Sequence, residues 1–249
     1  MFCMKESITV RRSEDRGFED FGWTDNWMTF SFANYHDPEW MRFGPLRVIV
    51  ENHIHPHKGF ETHPHKNMEI LTYVSSGVLT HEDSMGNRSN IRLGEMQRIS
   101  AGTGIFHSEM NKHDEVEHNI QIWILPDKAG VKPSYDELRF DEDERSGTLR
   151  MYVSPDGRDG SMTMNQDGFI YAGILSEGDE FTHDLEPGRG AWIQVVHGLV
   201  SINAEEVLEQ GDGAGITGLE QFTLKAQEES ELILFDVAME FETPYALEN

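Results

Sequence analysis

The sequence predicts an all-β protein made of two β-rich units of similar size. Apolar runs with the two-residue alternation of strands recur along the chain, and glycine-containing turns separate them about every eight to ten residues. No stretch longer than a few residues combines helical periodicity with capping residues. At 249 residues the chain is long enough for one large domain or two ordinary ones. This rhythm is typical of antiparallel barrels and sandwiches.

The first unit carries the clearest strand signals. Alternation predicts a short strand around 30–32 and a longer one over 46–50. The strongest prediction is the segment from His118 to Leu125, whose isoleucines occupy alternate positions. Between these, strands separated by glycine turns are expected over 70–74, 79–82, 91–93 and 96–99.

Residues 126–147 contain prolines, a glycine and a charged run, which predict a linker with a short helix or turn near Tyr135 to Leu138. Strands then resume over 192–196, 199–202, 222–224 and 232–237. We therefore expect one domain over 1–132 and a second over 133–249. Their shared rhythm suggests an old duplication.

Composition narrows the classes of function. The chain has 45 acidic and 20 basic residues, a formal charge of −25, which repels nucleic acid and anionic membrane surfaces. No apolar run reaches the roughly 20 residues of a membrane helix, and the N-terminus has no secretory pattern, so we expect a cytoplasmic protein. The single Cys3 excludes an internal disulfide framework and a cysteine-rich zinc site.

Histidines mark the candidate site. Nine of the twelve fall between His53 and His118, and the triplets His63-Pro64-His65 and His107-Ser108-Glu109 each hold two metal-ligand types at i and i+2. On a strand such pairs share a face, so two of them on neighbouring strands could converge on one ion. The run His53-Ile54-His55-Pro56-His57 offers a competing series, and spacing alone does not choose between the two.

Three segments resemble the pirin family, particularly its bacterial branch: HPHKNMEILTYV over 63–74, HEDSMGN over 81–87, and SAGTGIFHSE over 100–109. The resemblance covers nearly the whole chain. It implies two tandem cupin (double-stranded β-helix, or jelly-roll) barrels, a bicupin, of which only the N-terminal one binds metal. It also implies that His63, His65, His107 and Glu109 are the ligands and that the upstream histidines lie near the pocket mouth.

The expected cofactor is one divalent transition metal, with iron(II) first and copper, manganese, nickel, cobalt or zinc as alternatives. Four protein ligands leave two places on a six-coordinate ion for dioxygen and a chelating substrate, whereas tetrahedral zinc would be saturated. Glu69, a ligand in many cupins, is expected to lie outside the ligand set and to orient a histidine. Phe60, Met68, Phe106 and Trp123 are candidates for an apolar pocket wall, with ordinary core packing preferred for Trp123.

Family resemblance further implies quercetin 2,3-dioxygenase activity, the oxygenolytic cleavage of a flavonol ring with release of carbon monoxide. Glu109 is the expected catalytic residue, accepting the proton of the 3-hydroxyl group. The expected partners are a small aromatic, flavonol-like substrate and dioxygen, and the chain is expected to be a monomer. The alternative is a metal- or redox-sensing protein that binds a protein partner, with flavonol cleavage a side activity.

Overall fold

The computed structural model describes residues 5–245, and most of these lie in strands, which confirms the all-β prediction. In chain order the first eleven strands are β1 (Ser7–Arg11), β2 (Gly17–Asp20), β3 (Thr24–Met28), β4 (Leu46–Ile54), β5 (Lys58–His65), β6 (Glu69–Ser76), β7 (Val78–Asp83), β8 (Arg88–Arg92), β9 (Glu95–Ser100), β10 (Ile105–Asn111) and β11 (Glu117–Ile124). The other eleven are β12 (Ser134–Arg139), β13 (Thr148–Ser154), β14 (Met162–Thr163), β15 (Gly168–Leu175), β16 (Glu180–Asp184), β17 (Arg189–His197), β18 (Val200–Ile202), β19 (Glu206–Leu208), β20 (Gly213–Thr217), β21 (Gln221–Ala226) and β22 (Ser230–Ala238). One four-residue α-helix, α1, spans Glu142–Arg145. No helix within the described residues is long and apolar enough to cross a bilayer.

The described strands form two compact units with the same sheet plan. The N-terminal unit, residues 17–139, 164–166 and 242–245, has a seven-stranded sheet in the order β12-β9-β6-β11-β4-β3-β2 and a four-stranded sheet in the order β5-β10-β7-β8. The C-terminal unit, residues 5–16, 140–163 and 167–241, repeats this plan as β1-β20-β17-β22-β15-β13-β14 and β16-β21-β18-β19. The matching orders support the predicted duplication.

These units depart from the expected boundary at 132/133. Strand β12 follows that boundary in sequence but pairs with β9 of the N-terminal unit. Strand β1 lies at the start of the chain but pairs with β20 of the C-terminal unit. Each of these strands pairs with the open edge of its neighbour. Covering exposed strand edges in this way is a common feature of sheets.

Two local predictions are wrong. The segment near Tyr135 to Leu138 is strand β12 rather than a helix or turn, because pairing with β9 satisfies its backbone groups. Phe32 forms only an isolated bridge with Tyr35, in a turn rather than in a strand. Strand β5 runs from Lys58 to His65, so His63 and His65 lie on a strand, as their i, i+2 spacing predicts.

Apolar alternation builds the core as expected. In β11, Ile120, Ile122 and Ile124 are all buried, and each such side chain contributes about 1.5–3 kcal/mol by leaving water. Buried apolar side chains around Ile193 and Leu234 form a large cluster in the C-terminal unit, and smaller clusters surround Ile54, Ile70 and Met28 in the N-terminal unit. The N-terminal unit also buries polar side chains, among them those of Thr72, His107 and Glu109.

The turn before β10 determines where that strand starts. Gly102 has φ +45°, and a Cβ there would lie 2.0 Å from the backbone oxygen of Val131. A side chain at this position would push the turn away from its neighbour. Gly102 therefore helps to fix the start of β10 at Ile105.

We predict that Glu117→Gln stabilises the protein at neutral pH. Glu117 is buried, accepts a hydrogen bond from Asn119 (2.8 Å) and leaves Oε1 without a partner. Burial raises the pKa of this carboxyl well above 4.5. Above pH 4.5 the unfolded carboxyl ionises while the folded one keeps its proton, so stability falls as the pH rises.

Glutamine cannot ionise, so the variant should gain about 1–3 kcal/mol of unfolding free energy at pH 7 and little at pH 4. Urea denaturation with EDTA present, at both pH values, measures the difference without a contribution from bound metal. An equal effect at the two pH values would contradict the assignment.

Candidate metal centre

Strand pairing brings three predicted ligands together. In the antiparallel ladder of β5 and β10, His107 lies opposite His63, and Ile105 lies opposite His65. The centroid of the His63 ring lies 4.5 Å from that of His107 and 4.8 Å from that of His65, and the His65 and His107 centroids are 4.9 Å apart. One ring nitrogen from each histidine lies within 4.8 Å of the other two. The i, i+2 spacing thus gives the convergence that strand geometry predicts.

A β-bulge sets the tautomer of His63. The β5 and β10 register shifts between His107 and Glu109, so that Phe60 rather than Glu61 faces Glu109. The carbonyl of Glu61, inside this irregularity, accepts a hydrogen bond of 2.8 Å from Nδ1 of His63. With its proton on Nδ1, His63 presents the lone pair of Nε2, the form in which imidazole binds metals.

Burial keeps two of the imidazoles neutral. Burial, followed by the neighbouring His107 and His63, lowers the pKa of His65 to about 4. Burial also lowers the pKa of His107, where the nearby Glu109 opposes the shift. Neither ring nitrogen of His107 has a hydrogen-bond partner among the described residues, although both are buried. An unpartnered buried imidazole is costly unless a bound group satisfies it.

Glu109 supplies a buried carboxylate beside this cluster. Its Oε1 accepts a hydrogen bond from Thr72 (3.0 Å) and its Oε2 one from Gln121 (2.6 Å). Burial alone would raise the pKa of Glu109, but the nearby His107, His81 and His63 and the Thr72 hydroxyl together hold it below its ordinary value. The carboxylate is therefore ionised at neutral pH and, with two lone pairs on each oxygen, can still bind a further group.

His81 is a neighbour that sequence reasoning did not select. It is buried on β7, lies opposite Glu109 in the β10 ladder, and forms a second close group with His107 and Glu109. Its Nε2 lies 3.1 Å from Asp83 and its Nδ1 3.4 Å from Nε2 of Gln97, so both nitrogens are engaged. Its ring stacks on Tyr135. The i, i+2 pair His81 and Asp83 was the only local signal for this role.

The donor set fits a divalent metal ion. His63, His65 and His107 have converging nitrogens, and His107 has no other partner for either of its nitrogens within residues 5–245. Neutral imidazoles with one carboxylate suit first-row divalent metals. Glu109 is the better fourth donor because its carboxylate is ionised, whereas His81 is held by Asp83 and Gln97.

Glu69 does not orient a histidine. Its carboxylate accepts hydrogen bonds from Ser100 (2.7 Å) and Asn165 (2.9 Å). Thr72 of the same strand contacts Glu109, and alternation therefore directs Glu69 to the opposite face of the sheet. The sequence-based expectation for this residue is wrong for that reason.

Three of the four candidates for the pocket wall lie outside the cavity beside His63. Phe106 is 55% exposed because it points away from the face that carries His107, so it is not a pocket wall. Met68 packs against the small apolar cluster around Ile70 and does not line the cavity beside His63. Trp123 lies edge-on to the His65 ring at 4.9 Å and also packs on that cluster.

A cavity of about 540 Å³ adjoins the His63 side of the cluster, within the range of about 300–1,000 Å³ usual for small-molecule sites. Phe60 lies in its wall and meets Trp23 edge-on at 5.0 Å. The lining residues are Trp23, His57, Lys58, Gly59, Phe60, Glu61, His63 and Met110. The cavity therefore joins an aromatic wall to a ligand-type histidine.

The upstream histidines do not join the His63 cluster. His57 pairs with the exposed Asp114 (2.9 Å), and Nε2 of His55 lies 4.0 Å from Asp25. His53 lies on β4 and belongs to a different group of side chains. Of the remaining histidines, buried His183 pairs with Asp236 (2.9 Å) in the C-terminal unit.

The Pirin profile matches residues 9–124, and the profile described as the quercetinase C-terminal cupin domain matches residues 151–237. The chain is thus a two-cupin protein with a histidine- and glutamate-lined site in its N-terminal barrel.

It belongs to the pirin family. It is 44% identical over 231 residues to the quercetin 2,3-dioxygenase of Escherichia coli K12, covering 92% of this chain and 98% of the relative. It is 37% identical to a pirin-like protein of Caulobacter vibrioides, covering 89% and 96%. The crystal structure of the E. coli bacterial pirin YhhW in complex with nickel(II) superposes with a TM-score of 0.88 at 43% identity, covering 93% and 99%.

We predict that His65→Ala and Glu109→Ala each weaken nickel(II) binding by more than about 100-fold, above the 10–100-fold typical for loss of an outer-shell partner. His55→Ala is the matched control, because it removes a histidine of the competing upstream series and should leave the affinity unchanged. Titration of the metal-free proteins with a competing chelator measures each affinity. Weaker binding in the His55 variant alone would mean that the upstream histidines are the ligands.

Proposed function

We propose that this protein is a metal-dependent dioxygenase that cleaves flavonols, a quercetin 2,3-dioxygenase. The observation that carries the proposal is the convergence of His63, His65 and His107 beside the ionised Glu109, with both ring nitrogens of the buried His107 unpartnered. The relative with 44% identity bears that enzyme name, and the nickel(II) complex of YhhW supports a divalent metal as the cofactor.

His63, His65, His107 and Glu109 would hold the ion, with iron(II) our first choice. When bound, such a metal supplies Lewis-acid and redox chemistry for the reaction of a flavonol with dioxygen. The imidazoles are already in the form that binds a metal, because the Glu61 carbonyl fixes the tautomer of His63 and burial keeps His65 and His107 neutral. The imidazoles therefore need lose no proton before they bind the ion.

Glu109 would accept the proton of the flavonol 3-hydroxyl group. Its carboxylate is already ionised, and the hydrogen bonds from Thr72 and Gln121 fix its orientation in the barrel. Each of its oxygens still has a lone pair to offer. A positioned carboxylate of this kind contributes a factor of about 10²–10⁴ to the rate of a proton-transfer step.

The cavity beside His63 would bind the substrate. Its volume of about 540 Å³ suits a flat molecule of three rings, and Phe60 and Trp23 offer aromatic faces and edges for packing. Lys58 and His57 provide polar groups at the same wall, which could bind ring hydroxyls.

The direct test loads metal-free protein separately with iron(II), copper, manganese, nickel, cobalt or zinc and supplies quercetin in air. We expect at least one metal to give loss of flavonol matched one for one by oxygen uptake and carbon monoxide release. Tight metal binding without turnover by any metal would contradict the enzyme and favour a metal-sensing protein that acts through a partner.

We also predict that Glu109→Gln lowers kcat per bound metal by about 100-fold or more, because glutamine cannot accept the proton. Glu69→Gln is the matched control, since Glu69 is also a buried carboxyl of this barrel but faces away from the site. Its kcat should stay within about twofold of the wild type. Equal losses in the two variants would show that Glu109 acts only through the fold.

A further inference from the structure

A second group of ligand-type side chains lies on the seven-stranded sheet of the N-terminal unit, whereas the His63 cluster lies on the four-stranded sheet. Glu51 and His53 belong to β4, and His118 lies directly opposite His53 on β11. On β11, Gln121 contacts Glu109, so Asn119, two residues away and bonded to Asn52, lies on the face turned toward the His63 cluster. Alternation therefore directs Glu51, His53 and His118 away from that cluster.

Their ligand atoms converge. Nε2 of His118 lies 3.0 Å and Nε2 of His53 lies 3.6 Å from the same Oε1 of Glu51, and the two ring centroids are 4.4 Å apart. One ligand atom from each of the three residues lies within 4.8 Å of the other two. The His63, His65 and His107 group meets the same limit.

The Nε2 atoms of His53 and His118 are left without hydrogen bonds within the described residues. Both Nε2 atoms are buried, and neither makes a hydrogen bond with any part of the chain that the structure describes, since the contacts to Glu51 lack hydrogen-bond geometry. Trp27 meets the His53 ring edge-on at 5.0 Å and so restricts its rotation. Two orphaned nitrogens beside one carboxylate oxygen form a ready donor set for a cation.

We propose that Glu51, His53 and His118 bind a second divalent cation of the zinc type. Two imidazoles and one carboxylate are a common zinc donor set, in which a water molecule completes the tetrahedron. The side chains of Glu51, His118 and His53 are 5%, 14% and 33% exposed, so an ion can reach the site from the His53 side. Asp25, opposite His53 on β3, and the net charge of −25 add attraction for a cation.

This proposal does not depend on dioxygenase activity. Zinc is the probe because it has no redox chemistry, so the number of bound ions can be counted directly. Isothermal titration of metal-free wild-type protein with zinc should give two equivalents. The His65→Ala/His107→Ala double variant should keep one of them, and adding Glu51→Gln or His118→Gln should weaken that one by more than about 100-fold, above the range for loss of an outer-shell partner.

His55→Ala is the matched control, because His55 is the next histidine after β4 and contacts Asp25 but is outside the group. It should leave both equivalents unchanged.

If the double variant does not fold, Glu51→Gln in the wild-type background provides the same test, since it should reduce the number of bound zinc ions from two to one. Thermal melts should agree, with the zinc-dependent rise in Tm smaller in that variant.

Wild-type protein that binds only one zinc ion would overturn the proposal. A Glu51→Gln variant that still binds two zinc ions would overturn it as well. A Glu51→Gln variant that alters the stability of the metal-free protein but not its zinc count would also overturn it. That result would mean that Glu51 has only a structural role.

Discussion

The antiparallel register of β5 against β10 is the constraint on which the metal centre depends. It sets His107 opposite His63, and the two-residue period of each strand adds His65 and Glu109 on the same side. A slip of one residue would turn these side chains out of the barrel. The turn at Gly102, which fixes the start of β10, and the bulge at Glu61, whose carbonyl holds His63, both reinforce that register.

Burial then sets the protonation states. The protein as a whole is strongly acidic, yet the centre combines the neutral imidazoles of His65 and His107 with a single ionised carboxylate. Thr72 and Gln121 hold that carboxylate, and the histidines around it favour its charged form. His81 differs from the other imidazoles because Asp83 and Gln97 bind both of its nitrogens. The same barrel therefore contains histidines committed to hydrogen bonds and histidines left available for a ligand.

Local patterns in the sequence were sufficient for the fold class and for most strands, because alternation is a local property. The i, i+2 spacing found two histidine series, and the family resemblance chose His63, His65 and His107 between them. The roles expected for Glu69 and Phe106 were wrong, because each side chain lies on the face of its strand that points away from the site. Non-local pairing was not predictable: β1 and β12 join strands far along the chain, and His53 meets His118 only through the β4 and β11 ladder.

The ligand set of the metal centre is tested most directly by X-ray absorption spectroscopy of protein loaded with one equivalent of nickel(II), in the Glu51→Gln background. We expect the ion to be coordinated by three imidazoles and one carboxylate oxygen from the protein. Glu109→Ala should remove the carboxylate contribution, while His81→Ala should leave the imidazole count at three. A fourth imidazole, or a spectrum that Glu109→Ala does not change, would contradict this ligand set.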